Sequence, residues 1–254
     1  MNTDLIIVGG GAAGLMAAAT AGETGLRCVV LERRHRAGLK LLLCGNNRCN
    51  ITHDATAEAL LEAYGEPAES FLTPAVTAFP PAALRRWFAG LGLSTVVQED
   101  GRIYPRSMKA DDVVHCFTDC LRDRGVPLVL NCPVVSITRD ESGFHVTSEN
   151  LVLHSPNVLI ATGGVSYPKT GSVGDGQVFA KSLGHHIEPY RPGLAGIELG
   201  LPWLQRRDDI SFPETHIHII ADGHRAGMSE GEILCSKPCA RGPAIVNASR
   251  IISR

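Results

Sequence analysis

The sequence has no apolar run of the length a bilayer demands. A helical span needs about 20 consecutive apolar residues, and the first apolar run, Leu5 to Val8, is broken at once by glycine. The residues ahead of it, Met1 to Asp4, carry no basic cluster, so this start does not read as a secretory signal. An excess of charge of either sign is also missing. The formal net charge is -2, which gives no reason to expect nucleic acid or an acidic membrane as a partner. There are eight cysteines, yet none forms a C-x-x-C pair. Cys44/Cys49, Cys116/Cys120 and Cys235/Cys239 lie at other spacings, with Cys28 and Cys132 apart. A zinc ribbon or a thioredoxin-type dithiol is therefore unsupported. All eight thiols are expected to be reduced in a cytoplasmic protein. Internal repeats and low-complexity tracts are absent too.

What is present is a chain of 254 residues, 44% hydrophobic, enough for one large domain or a domain and a half. Its opening stretch, "IIVGGGAAGLMAAATAGETGLRCVVLERR", is organised. Leu5 to Val8 reads as a buried strand. Ala12 to Thr24 reads as a helix closed by Gly25, and Arg27 to Leu31 as a second buried strand. The whole predicts a βαβ unit, the start of a parallel sheet. Gly9-x-Gly11-x-x-Gly14 sits between strand and helix, the context in which this spacing carries meaning. The first glycine permits a tight turn, the second lets a pyrophosphate approach the backbone, and the third lets helix and strand pack closely. Helix N-terminal amides then face the phosphates. Glu32 follows 18 residues after Gly14, where a carboxylate accepts ribose hydroxyls and repels a 2'-phosphate. The stretch predicts a dinucleotide cradle that disfavours NADP.

Further on, Arg33 to Thr56 is basic and aperiodic, and predicts a long functional loop. Two or three short helices are expected between Ala57 and Leu91, with a restart at Pro80-Pro81, and another helix over Asp111 to Arg124. Val134 to Thr138, Phe144 to Thr147 and Leu151 to His154 predict an antiparallel meander turned at Glu141-Ser142-Gly143. Val158 to Ala161 predicts a short buried strand, and Gln177 to Leu183 a helix after "SYPKTGSVGDGQ". Beyond Pro189 the texture changes to short strands and turns, with a final helix over Pro243 to Ile252. The expected boundary lies near residue 190.

Four ordered segments carry a family resemblance. "RAGLKLLLCGNNRCNIT" (36–52), "GRIYPRSMKADDVV" (101–114), "LIATGGVSYPKTGSVGDGQVFAKSLGH" (159–185) and "GEILCSKPCARGPAIVNASR" (231–250) are similar to signature stretches of the HI0933-like flavoproteins, also called the YhiN or BaiN-like family. The resemblance implies FAD, a Rossmann-like α/β FAD-binding domain over 1–190, and over 191–254 part of an inserted, mostly β, substrate-side domain. It implies Gly9, Gly11, Ala13 and Gly14 at the pyrophosphate and Glu32 at the adenosine ribose, with Arg33 also among the cofactor-binding residues. Val134 would offer backbone to the adenine, and Ala161, Thr162 and Gly163 would close the adenosine side. Lys40, Gly45, Arg48, Cys49 and Asn50 would line the flavin end. A loop offering a guanidinium, an amide and free backbone donors suits phosphate and the polar edge of an isoalloxazine.

The sequence departs from the family pattern in places. Cys44 stands where serine is usual and Asn47 where glycine is usual. "CSKPCARG" replaces a threonine- and histidine-containing stretch. The family's C-terminal segment, which returns to the FAD domain, has no counterpart before Arg254. The implied function is an FAD-dependent oxidoreductase of a small molecule, with NAD(P)H as a candidate electron donor. The alternative is a shortened, catalytically idle paralogue that binds FAD or nucleotide weakly. An NAD-dependent dehydrogenase would need a second nucleotide fingerprint. Cys49, without a second thiol at C-x-x-C spacing, reads as loop packing before redox partner. His216 and His218 alternate on a strand but have no third ligand. His185-His186 read as helix-end or surface histidines, and Tyr104 and Tyr167 as flavin contacts or packing.

Overall fold

The computed structural model describes residues 3–200, 210–236 and 239–253, and divides into two compact units, Met1–Ile187 and Glu188–Arg254. In the first unit β1 (Leu5–Val8), α1 (Ala12–Glu23) and β2 (Cys28–Leu31) form the expected βαβ start. The helix ends as its glycine dictates. Gly25 turns left-handed (φ 78°), its N–H donates to Gly22 O, and Leu26 N–H donates to Ala21 O, the paired bonds of a Schellman close. The next elements are α2 (Leu39–Leu43), β3 (Thr52–His53), α3 (Ala57–Tyr64), α4 (Ala68–Ala78), α5 (Pro81–Gly90), β4 (Thr95–Val97), β5 (Arg102–Pro105) and α6 (Ala110–Asp123). Then come β6 (Leu128–Val129), β7 (Val134–Asp140), β8 (Gly143–Ser148), β9 (Leu151–Ser155), β10 (Val158–Ile160) and α7 (Asp175–Ser182).

The main sheet runs β10-β1-β2-β6, parallel throughout. Its central strands are apolar at every position because both faces are covered. Alternation by two assigns the faces. Ile7, Cys28 and Val30 pack with Leu15, Ala18 and Ala19 of α1 and with Val113, Phe117 and Leu121 of α6. Ile6, Val8, Val29 and Leu31 pack with Ile137, Val146 and Leu153 of the meander β7-β8-β9 and with Phe179 of α7. Each face thus gets its own core, and the C-terminal ends of β1, β2 and β10 stay open for a site.

Two expectations change. The stretch from Arg33 to Thr56 is not all loop, since α2 and β3 form within it. Leu39–Leu43 is too short to show a period, and β3 exists only by pairing with β5. In the second unit, β11 (Ile197–Glu198), β12 (Ile210–Ala221), β13 (His224–Ser236) and β14 (Cys239–Arg241) form an antiparallel sheet in the order β11-β14-β13-β12, with α8 (Pro243–Ile252) packed on it. The expected short strands are instead one long hairpin of 12- and 13-residue strands. Pro213, Gly227 and Gly231 interrupt its alternation in sequence, and bulges absorb part of the irregularity. Its turn is Asp222-Gly223, both left-handed (φ 49° and 79°), as a two-residue hairpin requires.

Candidate functional site

A cavity of about 620 Å³ opens where β1, β2 and β10 end. Its floor is the β1–α1 turn. Gly9 sits at φ 112°, and a Cβ there would lie 2.5 Å from Ala161 O. A Cβ on Gly14 would overlap the carbonyl oxygen of Gly9, so the helix can sit this close only without a side chain. Gly11 faces open space and caps α1 without any side-chain bond. The first-turn amides of Ala12 and Ala13 therefore have no helical acceptor, and both residues border the cavity.

Glu32 directly follows β2 and is 9% exposed. Its Oε2 accepts from Gly10 N–H (2.7 Å) and its Oε1 from Arg34 N–H (2.8 Å). Each oxygen keeps a lone pair beyond these bonds. Arg33 also borders the cavity, but its guanidinium is committed, donating to Asp175 Oδ2 at 2.5 Å and to Gly171 O at 3.4 Å. Lys40 is different. Among the described residues its ammonium has no ion-pair partner, and a Cβ on Gly163 would lie 3.9 Å from Nζ. Val134, Ala161, Thr162 and Gly163 complete the far wall, and Thr162 Oγ1 is buried without a hydrogen-bond partner.

Of the residues singled out from sequence, Gly9, Gly11, Ala13, Glu32, Arg33, Lys40, Val134, Ala161, Thr162 and Gly163 thus come together on one cavity. Gly14 lies beneath the floor. Gly45, Arg48, Cys49 and Asn50 do not line it. Arg48 donates from Nε to Gly45 O (3.1 Å) and stacks its guanidinium 4.8 Å over the Tyr104 ring. Asn50, with its amide turned to suit its neighbours, donates to Thr52 O (2.9 Å) and Ile103 O (3.2 Å). Cys49 is 1% exposed, and burial pushes its thiol up to about 12. Tyr104 is buried and Tyr167 exposed. His216 pairs across its hairpin with Glu230 at 3.6 Å. Among the described residues no group of three or more His, Cys, Asp or Glu could hold a metal ion.

Sequence reasoning assigned no role to Gly171, Ser172 or Asp175, which line the cavity beside Arg33. The available signal was "TGSVGDG" itself, a second glycine-rich turn leading from a strand into a helix.

A strand–glycine–helix cradle, an acid ending the second strand and the four ordered segments all point one way. The family model for the HI0933-like protein Rossmann domain matches residues 3–233. This chain belongs to the HI0933-like family. Its Rossmann-type FAD-binding fold accords with that membership. Among the family's curated relatives, the chain is 31% identical over 195 residues to 3-dehydro-bile acid delta(4,6)-reductase of Clostridium scindens, covering 76% of this chain and 47% of that protein. It is 28% identical over 202 residues to ribosomal RNA dihydrouridine synthase of Escherichia coli, covering 80% of this chain and 50% of that protein. The chain spans about half the length of the curated relatives it matches. Among solved structures, the open conformation of a flavocytochrome c3 fumarate reductase superposes with a TM-score of 0.61 at 14% identity, over 84% of this chain and 47% of that one. It shares the fold.

Proposed function

We propose that this chain binds FAD in the cavity at the ends of β1, β2 and β10, as the cofactor domain of an FAD-dependent oxidoreductase acting on a small molecule. The carrying observation is the chemistry of the donor set. The uncapped amides of Ala12 and Ala13 and the Lys40 ammonium, which has no ion-pair partner among the described residues, suit a pyrophosphate. Glu32, held by two backbone N–H groups, suits vicinal ribose hydroxyls. When bound, FAD supplies hydride or single-electron transfer at its isoalloxazine. The protein's own part is to anchor and orient. The α1 amides fix the phosphates, Glu32 fixes the rotation of the adenosine, and α2 borders the same cavity through Lys40. Residues 1–190 carry this role, and residues 191–254 contribute to a substrate-side domain. The relatives are named as a reductase and a dihydrouridine synthase. Both names denote saturation of a double bond, and we extend reduction, not either substrate, to this chain, with NAD(P)H as the electron donor. Neither the described residues nor the relatives favour a catalytically idle chain.

Titration with FAD tests the reading. Glu32→Ala removes charge-assisted bonds worth about 1.5–3 kcal/mol, so affinity should fall by about tenfold or more. Unchanged FAD affinity in the folded variant removes Glu32 from the site.

A further inference from the structure

The α2 loop contains a feature that FAD binding does not use. Cys44 and Cys49 are the i and i+5 ends of a turn closed by Cys49 N–H donating to Cys44 O at 2.9 Å. The turn is left-handed almost throughout. Gly45, Asn46 and Asn47 have φ of 58°, 57° and 63°, and Cys49 itself has φ 60°. Three of these are side-chain-bearing residues in a sparsely populated region, which persists only where surroundings over-determine it. Here Arg48 ties the turn to Gly45 O and stacks on Tyr104, while Cys44 Sγ donates to Asn50 O at 3.7 Å. Cys44 thus meets residues 49 and 50 with both its carbonyl and its thiol, which sets its side chain beside that of Cys49 across the turn. One of them, Cys44, borders the cavity. The other, Cys49, is sealed at 1% exposure.

We propose that Cys44 and Cys49 form a dithiol–disulfide couple in the wall of the cavity, exchanging two electrons with small-molecule disulfides. The asymmetry sets the order of events. Cys44 borders the cavity while Cys49 is sealed, so exchange begins at Cys44, and the burial that seals Cys49 also raises its thiol. The Cys44 thiolate attacks a disulfide RSSR, forms a mixed disulfide and releases one thiol. Cys49 then gives up its proton to the second departing thiolate and attacks Cys44 Sγ. One S–S bond forms in the protein and one breaks in RSSR. Two electrons and two protons pass to give two RSH, and the reverse reaction regenerates the dithiol. The couple lies beside the proposed FAD cavity, but its chemistry needs no bound cofactor, so it stands or falls apart from the FAD reading.

The test uses the chain without added flavin, equilibrated across ratios of glutathione to glutathione disulfide, quenched with acid, alkylated and digested with trypsin. Cleavage after Lys40 and Arg48 puts the two cysteines on separate peptides, so a disulfide appears as a linked pair. The expected result is that peptide 41–48 is joined to the peptide beginning at Cys49 under oxidising ratios and released under reducing ones, with a single two-electron midpoint. Cys49→Ser should trap Cys44 as the glutathione mixed disulfide, and Cys44→Ser should leave Cys49 unmodified in the folded protein. Circular dichroism identifies any variant that fails to fold, in which case the wild-type peptide map decides alone. Wild-type protein that holds glutathione on Cys44 without passing to the linked pair, or leaves both thiols free at every ratio, overturns the proposal. Neither outcome bears on the FAD titration.

Discussion

Strands β1 and β10 run side by side in the same direction, and each passes through a glycine-rich turn into a helix, yet the two junctions are built from different materials. Between Val8 and Ala12 there are only three residues, all glycine, and backbone meets backbone. The Gly9 carbonyl lies under Gly14, while Gly9 N–H donates to Leu31 O at 2.8 Å. Between Ile160 and Asp175 the chain takes residues 161–174, and side chains do the fastening. Arg33 reaches Asp175, and Thr170 Oγ1 donates to Tyr167 O at 2.7 Å. Apart from Glu32 Oε2, which accepts from Gly10 N–H, the first junction is fixed by what cannot fit, and the second by ties that can be cut one at a time.

The sharpest break in this contrast comes from adding one methyl group at each helix start. Gly14→Ala would press Cβ into the Gly9 carbonyl, and the backbone of that turn, tied to Leu31 O by the Gly9 N–H, has no flexible side chain to move aside. Gly176→Ala would bring Cβ to 2.5 Å from Thr162 Oγ1 and 3.0 Å from Ile160 Cγ2, both side-chain atoms. Overpacking costs about 1–3 kcal/mol and occasionally more. Gly14→Ala should lie at or above the top of that range and Gly176→Ala near the bottom, read by urea denaturation. Removing the obstructing hydroxyl should relieve only the second, so Gly176→Ala combined with Thr162→Ala should cost less than the two changes summed. Equal losses at the two glycines would mean that the junctions do not differ as described.

The same contrast explains what was legible in the sequence. The β1–α1 turn was readable because sterics leave one residue type at each position, so the spacing of Gly9, Gly11 and Gly14 states the geometry outright. The meander was readable from its alternation, and α8 from its proline start. Asp175 was not readable as part of the cavity wall, because nothing local says that Arg33, 142 residues earlier, will meet it. Nor could the bond from Cys49 N–H to Cys44 O be read, since it depends on a left-handed turn through Asn46 and Asn47, which tolerate that conformation without requiring it. Arg48 had the residue type of a ligand contact, yet its guanidinium found Tyr104, a partner supplied by the distant strand β5. Sequence spacing reports constraint by exclusion far better than it reports attraction between distant side chains.

The second test cuts a tie. Arg33 and Asp175 are about a third exposed (35% and 30%), so solvent screens them and the pair should be worth no more than about 1 kcal/mol. A double-mutant cycle with Arg33→Ala and Asp175→Asn, followed by denaturation, should return a coupling of that size. The local consequence should exceed the global one. Freed from Arg33, the turn from Tyr167 to Gly174 should exchange its amide hydrogens faster, while Gly9 to Gly14 keep their protection. Faster exchange in both turns would show that they share one support.

The smallest effect tests the other end of β1. There Asp4 accepts from Arg27 Nε at 2.9 Å, from a guanidinium NH2 at 2.6 Å and from Arg27 N–H at 3.1 Å, locking β1 to β2. Toward β10 the link is neutral, with Asn157 Nδ2 donating to Asp4 O at 3.1 Å. The Arg27 bonds hold the Asp4 carboxyl down at about 2. A carboxylate depressed on folding stabilises the native state above its unfolded value, near 3.8, and that contribution fades as pH falls through the folded value. The melting temperature of wild type should therefore exceed that of Asp4→Asn at neutral pH, and the gap should close as pH drops from about 4 towards 2. Because the pair is open to solvent, the gap should be small and shrink further in high salt. In the folded protein the Arg27 Nε–H resonance should shift as Asp4 titrates, while the Asn157 side-chain amide, bonded to the uncharged Asp4 carbonyl, should hold its position. Movement of the Asn157 signal with the same midpoint would show that the β10 side feels the charge, and the division between the two edges of β1 would fail.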